Sequence, residues 1–406
     1  MTPTPYDEAS GGAGPLAGML VLDLSRALSG PHAAMMLGDM GARVIKVEEP
    51  GGDQTRTWGP FAQGQDGSEP TSTYFLSCNR NKESIVLDLK SDDGAATIRA
   101  LVARADVLVE NFRPGVLARL GLDLETLAEL NPGLVVLSIS GFGHDGPEGG
   151  RPGYDQIAQG EAGLMSVTGP GPGQEQRVGV AISDVLAGMY GAFGVVSALV
   201  ERGRTGRGQV VRTSLLASVV GVHAFQGTRW TVARELPEPM GNHHPTLTPY
   251  GLFHSADGPV QVACGTERQW QLLCQVIGLD PSGPGMTTFA DRAEHRSEVI
   301  GAVEEAIAGR GAAELLEELT AAGVPCGRVR NLPEVYDWEQ TRSQGLLLDV
   351  DHPQLGTIQL PGPPLRFFTK EQDAPEAEVT RRQHDAPPVL DADADRIRRW
   401  LAEPVA

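Results

Sequence analysis

Aromatic residues and cysteines are scarce in this chain of 406 residues. Aromatics make up 5% of it, and the four cysteines contain no CxxC pair. Because so few scattered thiols cannot form a disulfide framework, we expect reduced cysteines serving as small core residues in a cytoplasmic protein. The acidic, small-residue start is not typical of a signal peptide. The cysteines are Cys78, Cys264, Cys274 and Cys326.

Positive charge is also in deficit. The 33 Lys and Arg residues face 52 Asp and Glu residues, which gives a net charge of −19. The chain should therefore repel nucleic acid and anionic membranes, and any anionic ligand must be held by local donors. The longest nearly apolar stretch, residues 185–200, contains three glycines. It is shorter than the roughly 18 to 20 residues that a bilayer crossing needs, so we predict no membrane span.

Several catalytic motifs are missing. Neither HExxH nor GxSxG occurs, and His243 and His244 would point to opposite faces of a strand. We therefore predict no metal site and no serine nucleophile elbow. Residues 141–146 match GxGxxG after a predicted strand, but Pro147 and Pro152 follow. Since a dinucleotide loop must open directly into a helix, this segment indicates a loop rather than a nucleotide cradle.

Short apolar runs alternate with helical patterns along the first 143 residues. Such alternation predicts repeated βαβ units and hence a doubly wound, parallel α/β sheet. The predicted strands are residues 18–25, 42–50, 84–90, 105–112 and 134–143, and the predicted helices are residues 31–40, 92–104 and 122–130. A further helix over 184–202 follows a Gly/Pro-rich segment, residues 141–179, which indicates a long functional loop.

The rest of the chain indicates a second domain. A Pro/Gly linker at 237–241 separates residues 1–236, a large Rossmann-like domain, from residues 242–335, a small α+β domain. The small domain begins with a hairpin that turns at Asp257 and Gly258. Residues 336–406 are predicted to return to the large domain.

Asp184 is the carboxylate that stands out, because the apolar segment VGVAIS leads through it into a helix rich in alanine and glycine. Its simplest role is an N-cap that accepts the amides of the first turn. A carboxylate in apolar surroundings beside a loop can also attack an activated acyl group. The two roles are compatible.

Three arginines lie near predicted strand ends or helix starts: Arg56, Arg113 and Arg119. Ligands of open α/β sheets bind beyond the carboxyl ends of the strands, so guanidinium groups there could hold phosphates. Each arginine alone is more simply a solvated surface residue.

Taken together, eight blocks resemble the class III CoA-transferases, and the similarity runs over residues 18–368. The blocks are VLDLSRALSGPHAAMMLGDMGARVIKVEEPGGD, NRNKESIVLDLK, ADVLVENFRPGVLARLGLD, GYDQIAQGEAGLMSVTG, ISDVLAGMYGAFGVVSAL, RTGRGQVV, NHHPTLTPYGLF and GVPCGRV. The resemblance implies an interlocked homodimer that uses acyl-CoA and a small carboxylic acid as substrates. It implies no tightly bound cofactor and no metal.

The resemblance also implies roles for individual residues. Asp184 takes the position of the family's catalytic aspartate, which carries CoA as an aspartyl thioester. The positions that match CoA-binding residues are Ala27, Leu28, Leu87, Asn111, Phe112, Arg113, Arg119, Leu120, Gly153, Tyr154 and Asp155. Glu49 departs from the pattern, because some relatives have a basic residue there. The polyglycine loop of formyl-CoA transferase has no counterpart, so a formyl or oxalate substrate is not implied.

Two alternatives remain open at this point. The racemase branch of the family pairs an aspartate with a histidine, but Tyr154 stands where that histidine aligns. Tyrosine, with an ordinary pKa of about 10, is a poor base near neutrality, and His144 upstream is the remaining histidine in the loop. A catalytically silent CoA-binding regulator is the third hypothesis.

Overall fold

A six-stranded parallel sheet organises the larger part of the chain in the computed structural model, which describes residues 14–65, 67–370 and 375–404. The strands are β1 Leu20–Asp23, β2 Arg43–Glu48, β3 Phe61–Ala62, β4 Thr71–Ser72, β5 Lys82–Val86, β6 Val107–Glu110, β7 Val135–Ser140, β8 Val210–Ser214, β9 Tyr250–His254, β10 Pro259–Ala263, β11 Cys326–Arg328, β12 Leu347–His352, β13 Gly356–Pro361, β14 Phe368–Thr369 and β15 Ala377–Glu378.

Helices surround these strands, and two short 3₁₀ helices occupy Gln54–Thr57 and Met165–Val167. The α-helices are α1 Ser29–Asp39, α2 Thr73–Ser77, α3 Asp92–Val102, α4 Val116–Arg119, α5 Leu124–Leu130, α6 Asp155–Glu161, α7 Ile182–Thr205, α8 Leu215–Gly221, α9 Ala224–Thr231, α10 Glu267–Ile277, α11 Phe289–Glu294, α12 Arg296–Ile307, α13 Ala312–Ala322, α14 Leu332–Tyr336, α15 Glu339–Ser343 and α16 Ala394–Ala402.

The large sheet has the strand order β5-β2-β1-β6-β7-β8, and every neighbouring pair is parallel. In chain order this is 3-2-1-4-5-6, the Rossmann arrangement, so the parallel α/β sheet predicted from the sequence is confirmed. The strand order reverses between β1 and β6. Loops leaving these two strands diverge, and the crevice at their carboxyl ends is where ligands of such sheets bind.

Both faces of this sheet are buried, which explains the continuous apolar runs in its strands. On one face Val21 packs with Ala33 and Leu37 of α1 and with Ala187 of α7. On the opposite face the next residue, Leu22, packs with side chains of α3, α5 and α16. Adjacent strand residues thus serve two different cores.

Helix α7 carries Asp184 and packs closely on its neighbours through glycine. A Cβ on Gly188 would lie 2.7 Å from the carbonyl oxygen of Ser29, and one on Gly191 would lie 2.9 Å from Leu137. The apolar stretch of residues 185–200 lies within this helix of 24 residues, which is long and apolar enough to cross a bilayer. Its glycine-bearing side is instead packed on α1 and the sheet.

A second compact unit consists of residues 165–177 and 229–338, and the described parts of 14–164, 178–228 and 339–404 form the first. The antiparallel sheet of the second unit, ordered β11-β10-β9, packs around Trp270 and Phe253. The β9–β10 hairpin turns at Asp257 and Gly258, as predicted. The prediction of a loop throughout 141–179 was wrong, because α6 forms within it.

Candidate functional site

The loop after β1 is held in a strained conformation. Ala27 has φ +64°, a left-handed value that costs a residue with a Cβ roughly 1 kcal/mol or more. The neighbouring Arg26 is fixed by Asn111, whose Oδ1 accepts from the Arg26 amide at 2.8 Å and whose Nδ2 donates to the Arg26 carbonyl at 2.7 Å. The side-chain amide of Asn111 therefore positions this loop. Its contact with CoA stays a prediction.

Beneath the loop lies a cluster of charged side chains, the lysine cluster, made of Asp23, Lys46, Asp53 and Lys82. All four are buried. Lys82 lies 2.8 Å from Asp23, and Lys46 lies 3.0 Å from Asp53. Burial alone would raise the pKa of Asp23, but the two lysines hold it below its ordinary value. Lys46 also donates to the carbonyl of Ser25 at 3.0 Å, so the cluster supports the loop from below.

Asp184 lies in the first turn of α7, and its surroundings are different. Burial raises its pKa to about 7, and the nearby Asp155 contributes to the increase. Ser29 hydrogen-bonds it and opposes the shift. No lysine or arginine in the described part of the chain forms an ion pair with it. Asp184 is thus a carboxyl group that is partly protonated at neutral pH.

The expectation that Asp184 caps its helix was wrong. The helix begins two residues earlier, and Ala181 at the cap position offers no side-chain bond. Asp155 supplies it instead, because its Oδ1 accepts from the Ser183 amide at 2.9 Å and from the Ser183 hydroxyl at 2.5 Å. Its Oδ2 accepts from Gln159 at 2.8 Å. The Asp184 side chain is therefore released from the helix terminus.

Asp184 opens into a cavity of about 220 Å³, the Asp184 cavity. The residues lining it are Arg26, Ala27, Ser29, Gln54, Trp58, Tyr74, Asn111, Phe112, Arg113, Pro114, Ile139, Ser140, Gly141, Gly150, Arg151, Pro152, Gly153, Tyr154, Asp184 and Leu215. Sequence reasoning missed Trp58 and Tyr74, whose rings meet edge to face at 5.1 Å. Burial and the nearby Asp184 raise the pKa of Tyr74 to about 12, so its hydroxyl stays protonated. Because aromatic residues are scarce in this chain, Trp58 and Tyr74 were the signal in the sequence that could have indicated this site.

A second cavity of about 360 Å³, the Leu87 cavity, lies at the carboxyl ends of β1, β2 and β5. Leu87, Phe112 and Leu120 line it, as do Arg26 and Glu49, which form an ion pair at 2.9 Å. Arg26 and Phe112 line both cavities. Most of the predicted residues thus line one of two cavities, which have Arg26 and Phe112 in common.

Some predicted residues lie elsewhere. Leu28, Arg119 and Asp155 do not line either cavity, and Arg119 is exposed on α4. Arg56 is not free for phosphate, because it forms a double hydrogen bond with Glu48 at 2.8 and 2.7 Å and stacks on Phe75. Nor is Arg56 a solvated surface residue, which was the simpler interpretation of the sequence.

The histidines support neither a metal site nor a second base beside Asp184. His243 and His244 lie in a turn rather than on a strand, and residues 14–65, 67–370 and 375–404 contain no cluster of three potential metal ligands. His144 lines a third cavity, described below, and not the Asp184 cavity. Tyr154 does line the Asp184 cavity and is largely exposed.

The strand order is that of Rossmann folds, which bind nucleotides where the order of the strands reverses. Asp184, a carboxylate with a raised pKa, lies beside that point and is a candidate nucleophile. Residues 16–383 match the family described as CoA-transferase family III. The chain belongs to this family, so the resemblance stated from the sequence is confirmed.

Individual relatives agree. The chain is 39% identical to the succinate–glutarate CoA-transferase of Agrobacterium fabrum over 352 residues, which cover 86% of this chain and 88% of that protein. It is 37% identical to the acetyl-CoA:oxalate CoA-transferase of Acetobacter aceti, with 97% of each chain covered. Among solved structures, a CAIB/BAIF family protein from Brucella suis superposes with a TM-score of 0.83 at 36% identity, covering 96% of this chain and 100% of the other.

Proposed function

We propose that this protein is a CoA-transferase that moves CoA from an acyl-CoA to a carboxylic acid through an aspartyl-CoA thioester on Asp184. The observation that carries the proposal is the Asp184 carboxyl group itself, which faces a cavity, has no cationic partner and has a pKa raised to about 7. A carboxylate paired with lysine would be a weaker nucleophile, because the cation stabilises its charge.

The reaction proceeds in four steps. The Asp184 carboxylate attacks the thioester carbonyl, and CoA leaves as a thiolate while a mixed anhydride forms. The thiolate attacks the aspartyl carbonyl of that anhydride, which releases the donor acid as a carboxylate and leaves CoA on Asp184. The acceptor carboxylate then attacks the aspartyl thioester and expels CoA thiolate, giving a second anhydride. Attack of the thiolate on its acyl carbonyl releases the new acyl-CoA and restores Asp184.

The two cavities divide the CoA molecule between them in this proposal. The Leu87 cavity takes the nucleotide, because Leu87 and Leu120 offer apolar walls and Arg26 and Lys90 offer positive charge. The thioester end reaches the Asp184 cavity past Phe112, which lines both spaces. Ala27 and Arg113 line the Asp184 cavity, as do Gly153 and Tyr154, and are assigned to the pantetheine end.

Short dicarboxylic acids are the proposed substrate class. The Agrobacterium and Acetobacter relatives are named for succinate, glutarate and oxalate, which are all dicarboxylates. In this chain Arg113 lines the Asp184 cavity and supplies positive charge for a second carboxylate, whereas Arg26 and Arg151, which also line it, are paired with Glu49 and Glu161. The Acetobacter relative is named for oxalate, so oxalate belongs to the acids to be tested.

The geometry does not favour a racemase. That reaction needs a base on each side of the substrate's α-carbon. His144 is held by Ser138 at 2.6 Å in a different cavity, and Tyr154 is a poor base near neutrality. Asp184 is therefore without a histidine partner in the cavity that it lines.

Intact-protein mass spectrometry after incubation with succinyl-, glutaryl-, acetyl- and oxalyl-CoA, with hydroxylamine as a trap, tests the proposal. Wild type should acquire an adduct that peptide mapping assigns to Asp184, and Asp184→Asn should acquire none. Adduct formation on both proteins would overturn the assignment. Deuterium uptake at the α-carbon without an adduct would establish the racemase, and CoA binding without either reaction would establish the silent regulator.

We also propose an interlocked homodimer. Apolar side chains are strongly exposed along α7, where Phe193 is 73% exposed and Val200 is 67% exposed. Exposed apolar side chains of this size on one helix are typical of a subunit interface. Light scattering should give twice the chain mass of 43.0 kDa. A monomer at micromolar concentration would contradict this proposal.

The proposed compartment is the cytoplasm, without a membrane or nucleic-acid partner. All four cysteines are free thiols, and three of them are buried, as a reducing compartment permits. The net charge of −19 disfavours polyanionic partners. Fractionation of cells that express the tagged chain tests the localisation.

A further inference from the structure

A hydrogen-bonded chain of side chains connects two loops that the proposed reaction uses. His144 Nε2 lies 2.6 Å from the Ser138 hydroxyl, and Ser138 in turn hydrogen-bonds Glu110 Oε1. The other oxygen of Glu110 accepts from the Phe112 amide at 2.8 Å. On the far side, His144 Nδ1 lies 3.5 Å from the Ser140 hydroxyl. Glu110, Ser138 and His144 line a third cavity of about 410 Å³, the Glu110 cavity, whereas Ser140 lines the Asp184 cavity.

The donors in this chain can all point the same way. An ionised Glu110 only accepts, so Ser138 must donate to it, and the Ser138 oxygen then accepts from His144 Nε2–H. The free Nδ1 of that tautomer accepts from Ser140. Each donor is therefore directed toward one buried carboxylate, which has no ion-pair partner among the described residues. The facing charges are Arg212, which lines the cavity, and Asp145, which acts on His144 from the same loop.

The two ends of the chain are the functional parts. His144 belongs to the loop of residues 141–153, whose residues 150–153 line the Asp184 cavity. Phe112 forms the wall shared by the Asp184 and Leu87 cavities, and its amide is fixed by Glu110. Loss of one link leaves a buried donor or acceptor unsatisfied and releases the turn that carries Phe112.

We propose that His144 is a positioning residue for CoA: through Ser138 and Glu110 it holds the Phe112 turn, and thereby CoA, against the loop that walls the Asp184 cavity. This inference rests on the proposed CoA-transferase function. It assigns His144 no contact with substrate and no proton transfer to the reacting atoms.

Isothermal titration of free CoA into the full-length protein tests the inference without requiring turnover. His144→Phe keeps an aromatic ring but loses both hydrogen bonds, and it should weaken the Kd for CoA about tenfold. His144→Gln can still donate to Ser138 and should stay within about threefold of wild type. His254→Phe makes the same substitution at an exposed histidine of the smaller unit and should bind as wild type does. At saturating acyl-CoA, kcat of His144→Phe should change less than about twofold.

Unchanged CoA affinity in His144→Phe would overturn the inference. So would equal loss of affinity in the Phe and Gln variants with a lowered Tm, which indicates a structural role only. Loss of kcat at saturation would indicate a direct role in the chemistry instead. If CoA binds and responds to His144 while Asp184 forms no adduct, the transferase proposal fails and this inference stands. A wild-type protein that does not bind CoA overturns both.

Discussion

Two groups of carboxylates near the first loop of the fold have opposite electrostatics. In the lysine cluster, Lys82 and Lys46 hold the pKa of Asp23 below its ordinary value in spite of complete burial. Asp184, with Asp155 nearby and no cation, has its pKa raised to about 7. Both residues are aspartates whose pKa burial would raise, so the presence of lysine decides the direction of the shift. Compensated carboxylates stabilise the loop, whereas the uncompensated one is available for chemistry.

Removal of a lysine should have the largest effect, because it turns the compensated group into an uncompensated one. Lys82→Met leaves Asp23 buried without its nearest cation, at 2.8 Å in the native protein. We expect a loss of about 3 to 5 kcal/mol in the free energy of unfolding at neutral pH. Urea denaturation measures it. Lys90→Met, which removes an exposed lysine, is the matched control and should change stability by less than about 0.5 kcal/mol.

Neutralising Asp184 should have the opposite effect and increase the free energy of unfolding. A pKa that folding raises means that the folded state binds the proton more tightly, so stability falls as pH rises from the ordinary value of 3.8 through about 7. Asp184→Asn removes this cost and should stabilise the protein by roughly 1 to 2 kcal/mol at pH 8, and by much less at pH 4. Calorimetric Tm values at the two pH values measure it. Equal stabilisation at both would show that ionisation is not the cause.

The smallest predicted effect measures how much Asp155 contributes to the raised pKa of Asp184. Since Asp155 contributes to the raised pKa of Asp184, Asp155→Asn should move the rising limb of the pH–rate profile below about 7. At pH 6 the rate should then increase roughly twofold relative to the plateau. The asparagine oxygen can still accept from the Ser183 amide, so α7 keeps its start. A limb that stays in place would assign the raised pKa to burial alone.

Much of the fold could be predicted because buried parallel strands leave short apolar runs, as in Leu20, Val21 and Leu22 of β1. Helix α6 was missed because it follows Pro152 and Gly153 and contains Gly160, all of which disfavour a helix locally. Helix α7 begins earlier than predicted because its first turn is bound by Asp155, 28 residues upstream of Ser183. A contact between residues so far apart leaves no local pattern.

The candidate site shows the same division. Asp184 and the residues assigned to CoA were named from sequence blocks, and their roles stay predictions. The lysine cluster was not predicted, because Lys82 in the polar segment NRNKES has the sequence context of a surface residue, and it is buried only by the parallel pairing of β5 with β2. The chain from His144 to Glu110 likewise joins three segments that are separate in sequence.

The bond between Asp155 and Ser183 has a consequence for how such proteins diversify. It fastens the first turn of α7 from outside, so the position of Asp184 does not depend on the length or composition of the intervening 27 residues. That interval includes residues 165–177, which belong to the smaller unit. Insertions and deletions there can therefore occur while the Asp184 side chain keeps its place.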